Sequence, residues 1–310
     1  METVRLIRAT VAIPTHNRAH TLARTLRSVA LLEVPPKAEL KCLVIDNASA
    51  DSTAAVVAQA AKLAPFAVRR VLENRLGESC ARNRAIGEAR QDSDFLLFID
   101  DDAAADRAWA VEMLAAFDRR GLDAVCGMVL PAWAAPPPRW LGPRLYPKLA
   151  VHDRKPIVNA PRAAVETVRN YFGANMALRC ATLEKFGRFR EDLGVKGGSA
   201  ISGADTDFFE RIAENGGRIG FAAGAIVHHI VDRSRMTRAY LLKKSFAYGV
   251  GSAVVSRRSH NHLDKLVRNS VRMLAAQARG DSEGAMLHAM ECANYFGYWY
   301  GRMATRRHNS

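Results

Sequence analysis

Residues 95–103 read FLLFIDDDA, five apolar residues running directly into Asp100, Asp101 and Asp102. So apolar a run suits a strand covered on both faces, as in the parallel sheet of an α/β fold. Ligands of open α/β sheets bind at the carboxyl ends of such strands. Three adjacent carboxylates repel one another, and at that place a divalent cation that neutralises them is the simplest explanation. Hard carboxylate oxygens favour Mg2+ or Mn2+, which keep positions open for phosphate oxygens. Alternation along an extended chain directs Asp100 and Asp102 one way and Asp101 the other. The competing reading is a polar turn ahead of the next helix, to which Asp106 lends itself as a cap.

Outward from this stretch, the first 130 residues alternate short apolar runs with helix-period segments, the pattern of βαβ units. Strands are expected at 4–13, 40–45, 67–72, 95–99 and 124–130, all apolar enough for a parallel sheet. Leu22, Leu26 and Val29 recur at helical spacing, as do Val111, Met113 and Leu114 with Phe117 less regularly, and predict covering helices. Asn17, Ser49 or Asp51, and Asp106 are the expected caps. Prolines concentrate from Pro131 to Pro161, where regular structure should lapse into a lid or binding loop. From Met236 onward the pattern is helical. The expected division is a first domain over 1–235, in halves 1–130 and 131–235, followed by a helical region over 236–310.

At 310 residues and 49% hydrophobic content the chain can bury a sizeable core. No signal-peptide stretch and no spanning run is apparent, so a cytoplasmic location is expected. Five widely spaced cysteines without a CxxC pair suggest reduced, mostly buried thiols rather than a disulfide framework. The net charge is +14, and residues 211–310 hold 16 Lys and Arg against 6 Asp and Glu. An anionic partner follows, whether phosphorylated substrate, membrane surface or nucleic acid. No basic-aromatic motif of the usual RNA modules supports the last. Lys243-Lys244, Arg257-Arg258 and Arg306-Arg307, with the aromatic run Tyr295–Tyr300, point to peripheral attachment at an anionic membrane face.

A second strand-like run ends in an acid at VIDNASADST, residues 44–53, where Asp46 could accept from a base or a ribose hydroxyl. Neither GxGxxG nor GxxxxGK[ST] occurs, which sets aside the dinucleotide fold and the P-loop. VAIPTHNR, VIDNASADST, ENRLGESCARNRAI, FIDDDA, the Trp-containing proline segment, YFGANMALRC, GADTDFFERI and AIVHHIVDRSRMT together resemble the family 2 glycosyltransferases, in that family's order, over roughly residues 8–250. The resemblance implies a GT-A fold, a Rossmann-like mixed α/β sheet covered by helices, here with a C-terminal helical appendage. It implies that Pro14, Thr15 and Arg18 line the base pocket, Asp46 faces the base, and Arg82 helps hold the nucleotide. Asp100 would contact the ribose, Asp101 would belong to the same nucleotide-sugar site, and Asp102 would ligate Mn2+ or Mg2+.

Downstream the match departs from the family. Gly203-Ala204-Asp205 lacks the Glu that usually precedes the catalytic Asp, so Asp205 matches the base without that neighbouring carboxylate. Asp205 and Asp207 could instead start a helix, where acids favour the N-terminal dipole. His228-His229 ends an apolar run, and the family pattern aligns His229 with its metal-binding histidine. Gly173, Asn175, Asp207 and Trp140, or Trp133, are candidates for the sugar and acceptor pocket. The activity implied is inverting transfer from a nucleotide diphosphate donor, a UDP-sugar first, to a carbohydrate or lipid-linked hydroxyl acceptor in polysaccharide or glycoconjugate synthesis. Two rivals remain: a sugar nucleotidyltransferase, which usually needs a Gly-rich basic loop after the first strand, and a non-catalytic basic membrane- or nucleic-acid-binding module.

Overall fold

The computed structural model describes residues 5–118, 121–152, 171–196, 199–201, 203–255 and 263–308. Strands are β1 (Ile7–Thr15), β2 (Ala38–Asp46), β3 (Val68–Leu72), β4 (Phe95–Ile99), β5 (Ala103–Ala105), β6 (Ala124–Trp133), β7 (Asn175–Arg179), β8 (Gly194–Lys196), β9 (Ser199–Ile201) and β10 (Ile219–Val231). Helices are α1 (Ala19–Ala30), α2 (Thr53–Leu63), α3 (Glu78–Ala89), α4 (Trp109–Asp118), α5 (Leu183–Phe186), α6 (Ala204–Glu214), α7 (Arg238–Val255), α8 (Leu263–Ala278) and α9 (Ser282–His308). Among the described residues no helix is long and apolar enough to cross a membrane.

The chain gathers into two compact units. The first comprises residues 1–131, 153–191 and 205–230. Its sheet has the order β3-β2-β1-β4-β7-β6-β10-β5. The pairs β2/β3, β1/β2 and β1/β4 are parallel, whereas β4/β7, β6/β7 and β5/β10 are antiparallel. The sheet is therefore mixed, and the expectation that 124–130 joins an all-parallel sheet is corrected on one side: β6 pairs antiparallel with β7. On its other side lies β10, with Asp123 N bonded to Arg218 O and Ala134 N to Val231 O, so the two run the same way, and the continuous apolar run matches burial on both faces. Leu43, Ile45, Leu96 and Phe98 face a core shared with Ala81, Ala85 and Ile86 of α3 and with Phe208, Phe209 and Ile212 of α6. Val11, Ile13, Val44, Leu97 and Ile99 alternate with these and are also buried.

The order of β2-β1-β4 places a switch point at the carboxyl ends of β1 and β4, because the chain leaves β1 towards β2 and later returns on its other side. Leu22, Leu26 and Val29 of α1 and Met113, Leu114 and Phe117 of α4 are buried as expected, whereas Val111 is only half-buried. The capping differs from expectation. Asn17 Oδ1 accepts from Ala50 N at 2.7 Å and Ser49 Oγ accepts from Asn17 N at 3.0 Å, so these two tie one loop to another. Asp51 serves both helices, accepting Ala19 N at the start of α1 (2.9 Å) and Thr53 N at the start of α2 (3.0 Å).

The second unit comprises residues 132–152, 192–204 and 231–310. Regular structure does not lapse throughout the proline segment: β6 runs to Trp133 and a 3-10 turn spans Pro143–Leu149. Pro156, Pro161 and Arg257-Arg258 lie outside the described residues, as do the side chains of Arg306 and Arg307. Helices α7 and α9 pack closely, for a Cβ at Gly297 would collide with the backbone of Phe246. Tyr298 is buried at 4% exposure, so Tyr295–Tyr300 does not form one exposed aromatic belt. All five cysteines are free, four of them buried.

Candidate active site

At the switch point Thr15, the last residue of β1, donates its hydroxyl to Asp101 Oδ2 at 2.7 Å. Arg18, three residues on, reaches Asp101 Oδ1 at 3.1 Å and Asp102 Oδ2 at 3.0 Å with the same nitrogen. Pro14 lies in β1 opposite Ile45. Strand β4 ends at Ile99, and the three aspartates form a turn in which Ala103 N donates to Asp100 O. Because the backbone turns, Asp102 is shared with Arg18 on Asp101's side as well as facing Asp100, which strict alternation does not give.

The turn is followed at once by β5, which pairs with β10 so that His229 stands opposite Ala103 and His228 opposite Ala104. Alternation on β10 then sends the two histidines to opposite faces. His229 turns inward, buried, with Nε2 3.0 Å from Asp102 Oδ1. His228 turns outward and meets Asp106 Oδ1 at 2.9 Å. One ligand atom each from Asp100, Asp102 and His229 lies within 4.8 Å of the others. Two carboxylates and an imidazole converging from separate chain segments are a donor set that fits a divalent cation.

Arg82, on α3 and almost wholly buried, ion-pairs with Asp205 Oδ1, with Glu78 at 2.7 Å and with Asp100 at 3.7 Å. Burial opposes its charge, yet these carboxylates hold the guanidinium above its usual pKa. Asp205 Oδ2 also accepts from Gly173 N at 3.0 Å. A Cβ at Gly173 would collide with Arg82 and Asp205, so only glycine lets the backbone approach this closely. Burial raises the Asp100 carboxyl well above the usual range, against Arg82, and Asp102, Glu78 and Asp205 add to the rise. Asp101 is pushed up to about 6, chiefly by burial, against Arg18 and the Thr15 hydroxyl. Glu78 is a site residue that the sequence reading missed, although its i,i+4 spacing from Arg82 was a usable signal.

Other expected residues are placed differently. Asp46 is fully buried at the end of β2, where Arg70 pairs with it at 2.5 Å and Ser49 N donates to it at 2.9 Å. Asn175 spends its side chain inside the sheet, accepting from Trp109 Nε1 and donating to Met128 O and Ala225 O, each at 2.8 Å. It is fully buried with both of its N–H donors spent on carbonyls, which makes it a tie within the sheet. Asp207 is likewise a support of α6, held by Arg211 at 2.9 Å and Arg190 at 3.8 Å. Trp140 belongs to the second unit, where Arg238 lies 5.5 Å over its ring, and Trp133 packs on Tyr146.

A mixed sheet with a strand-end acid cluster, a parallel half at the amino-terminal end and C-terminal helices is the GT-A architecture of nucleotide-sugar transferases. The sequence profile of glycosyl transferase family 2 matches residues 10–186. Succinoglycan biosynthesis protein ExoM of Rhizobium meliloti is 32% identical over 240 residues, which are 77% of this chain and 72% of that protein. Among solved structures, the mannosyltransferase PcManGT of Pyrobaculum calidifontis, in complex with GDP-Man and Mn2+, aligns with a TM-score of 0.60 at 20% identity, covering 99% of this chain and 88% of that one. S. aureus TarS 1-349 in complex with UDP aligns at 0.51 and 17% identity, covering 97% and 92%. The chain belongs to glycosyl transferase family 2 and is a glycosyltransferase. The nucleotidyltransferase and the non-catalytic basic module are thereby set aside. Asp205 and His229 lie beyond the matched span, so their roles rest on the resemblance of their motifs and on geometry.

Proposed function

We propose that the chain transfers a sugar from a nucleotide diphosphate donor, a UDP-sugar in the first instance, to a hydroxyl of a carbohydrate or lipid-linked acceptor, with inversion, in polysaccharide or glycoconjugate assembly. The observation that carries this reading is the convergence of Asp100, Asp102 and His229 at the end of β4, within one arginine of Asp205. A solved neighbour of the fold holds GDP-Man with Mn2+ and another holds UDP, which supports a diphosphate donor and a divalent cation.

Asp102 and His229 would hold Mn2+ or Mg2+, with Asp100 beside them towards the ribose. When bound, the cation supplies positive charge to the diphosphate as it leaves. Thr15 and Arg18 fix Asp101 and Asp102 at the mouth of the switch point, where Pro14 and Asp46 end the flanking strands of the base side. Asp205 takes the proton of the acceptor hydroxyl as that oxygen attacks the anomeric carbon. Both of its oxygens are oriented beforehand by Arg82 and Gly173 N–H. Arg82 thus couples the base to the donor side. Gly173 and Trp140 are the remaining candidates for sugar and acceptor contacts, and a seat on the cytoplasmic membrane face would present a lipid-linked acceptor.

A panel of UDP-, GDP- and dTDP-sugars, read as free nucleotide diphosphate released, tests the proposal. Release from UDP-sugars, dependent on Mn2+ or Mg2+, is the expected result. No release from any donor, or release only from GDP- or dTDP-sugars, would overturn the donor assignment.

A further inference from the structure

Helix α8 turns a mixed side to α9: Asn269 is 9% exposed, meets His288 Nδ1 at 2.9 Å and donates to Lys265 O, Ser270 Oγ lies against Cys292, Ala276 is buried, and Leu266 and Met273 are half-buried. A second apolar side is turned outward. Leu263, Val267, Val271 and Leu274 are 55%, 56%, 61% and 60% exposed. At about 100° per residue these four fall within about 80° of the helix circumference, one continuous stripe about 17 Å long. Scattered exposed apolar residues need no explanation, but a continuous stripe of this length does.

The cations complete the pattern. Lys265, Arg268 and Arg272 lie on one flank of α8, with Arg279 just past its end, and Asp264, which Arg268 pairs at 2.9 Å, is the one acid within the helix. Lys and Arg beside an apolar stripe can rest their stems on it while keeping their charges at headgroup level. We propose that α8 is the membrane-docking element of this protein, lying flat in the headgroup layer of an anionic bilayer with Leu263, Val267, Val271 and Leu274 inserted. A helix of this length lies in the interface and does not span it. Charge complementarity selects the bilayer over a second copy of the chain, because the cations beside the stripe attract anionic headgroups and repel the same cations of another copy. The inference narrows the membrane reading from the whole basic C-terminal region to one face of one helix.

Co-sedimentation of the full chain with vesicles of phosphatidylcholine alone, or of equimolar phosphatidylcholine and phosphatidylglycerol, tests this without donor or acceptor, so its outcome is independent of the transfer reaction. Binding to the anionic vesicles is expected, weakening with salt and absent from phosphatidylcholine alone. Val267→Ser with Val271→Ser should lower the partition by about ten-fold or more. Arg268→Gln with Arg272→Gln should lower it on anionic vesicles and flatten the salt dependence. Both pairs are exposed, and unchanged thermal unfolding and donor hydrolysis would show that the fold is kept. No binding at low salt, or unaltered binding by the serine pair, overturns the proposal. A dimer that the serine pair dissociates, without lipid dependence, also overturns it and assigns the stripe to a second copy.

Discussion

Asp100 lies between Arg82 and Asp102, and burial, with Asp102, Glu78 and Asp205, keeps its carboxyl well above the usual range despite the guanidinium. A carboxyl raised in the folded protein stays protonated to higher pH, and the proton must leave before the oxygen can face a cation. Mn2+ affinity should therefore rise with pH and each binding event should release protons, as calorimetry in buffers of different ionisation enthalpy would read. Affinity independent of pH across the carboxylate range would contradict the shared site. Asp205→Asn should lower turnover by about 10²–10⁴-fold with nucleotide affinity nearly intact, since a general base acts on the acceptor. Asp207→Asn should cost stability instead, because its carboxylate is held by Arg211 and Arg190. If kinetics and calorimetry on the two variants showed the reverse, the base would be misassigned. At this scale Asp100, Asp102 and a histidine at 228 or 229 were legible because residue type and strand-end position carry the chemistry. The partners of Asn175 and Asp207 were not, being distant in sequence: Trp109, Met128 and Ala225 for one, Arg190 for the other.

Element by element, burial was legible and direction was not. The apolar run at 124–130 predicts a buried strand correctly, yet nothing in it reports that β7 lies beside it antiparallel. Nor does DNASADST reveal that Asp51 caps α1 from another segment of chain. The β5–β10 pairing that chooses His229 over His228 is of the same non-local kind. Asn175, at the start of β7, ties α4, β6 and β10 through one side chain. Asn175→Ala strands a buried indole N–H and two carbonyls, at a cost of about 3 kcal/mol, and should lower the thermal midpoint measurably. A midpoint equal to that of the unaltered chain would show that water replaces the amide. In the second unit, Gly297→Val drives a side chain into the Phe246 backbone and should loosen α7 from α9, at about 1–3 kcal/mol or more. Hydrogen exchange in α9 would read it, and unchanged protection there would contradict the close approach.

Over the whole molecule, the net charge of +14 announced an anionic partner without saying which. The first unit answers in part, with Arg18 and Arg82 paired to the strand-end acids, and the apolar stripe on α8 offers a second destination for charge. The family profile covers residues 10–186, which include Asp100 and Asp102. Asp205 and His229 lie beyond it and rest on the resemblance of GADTDFFERI and AIVHHIVDRSRMT and on geometry. The central claim, cation-dependent transfer from a nucleotide sugar at the end of β4, is tested most directly by turnover of the intact chain and of Asp102→Asn, each in Mn2+ and in excess chelator. Turnover is expected only for the unaltered chain with Mn2+, with chelator abolishing it, re-added Mn2+ restoring it, and the variant folded but inactive in both, since an amide cannot replace an anionic ligand for a hard cation. Full turnover in the chelator, or an Asp102→Asn variant as active as the unaltered chain, would contradict the account.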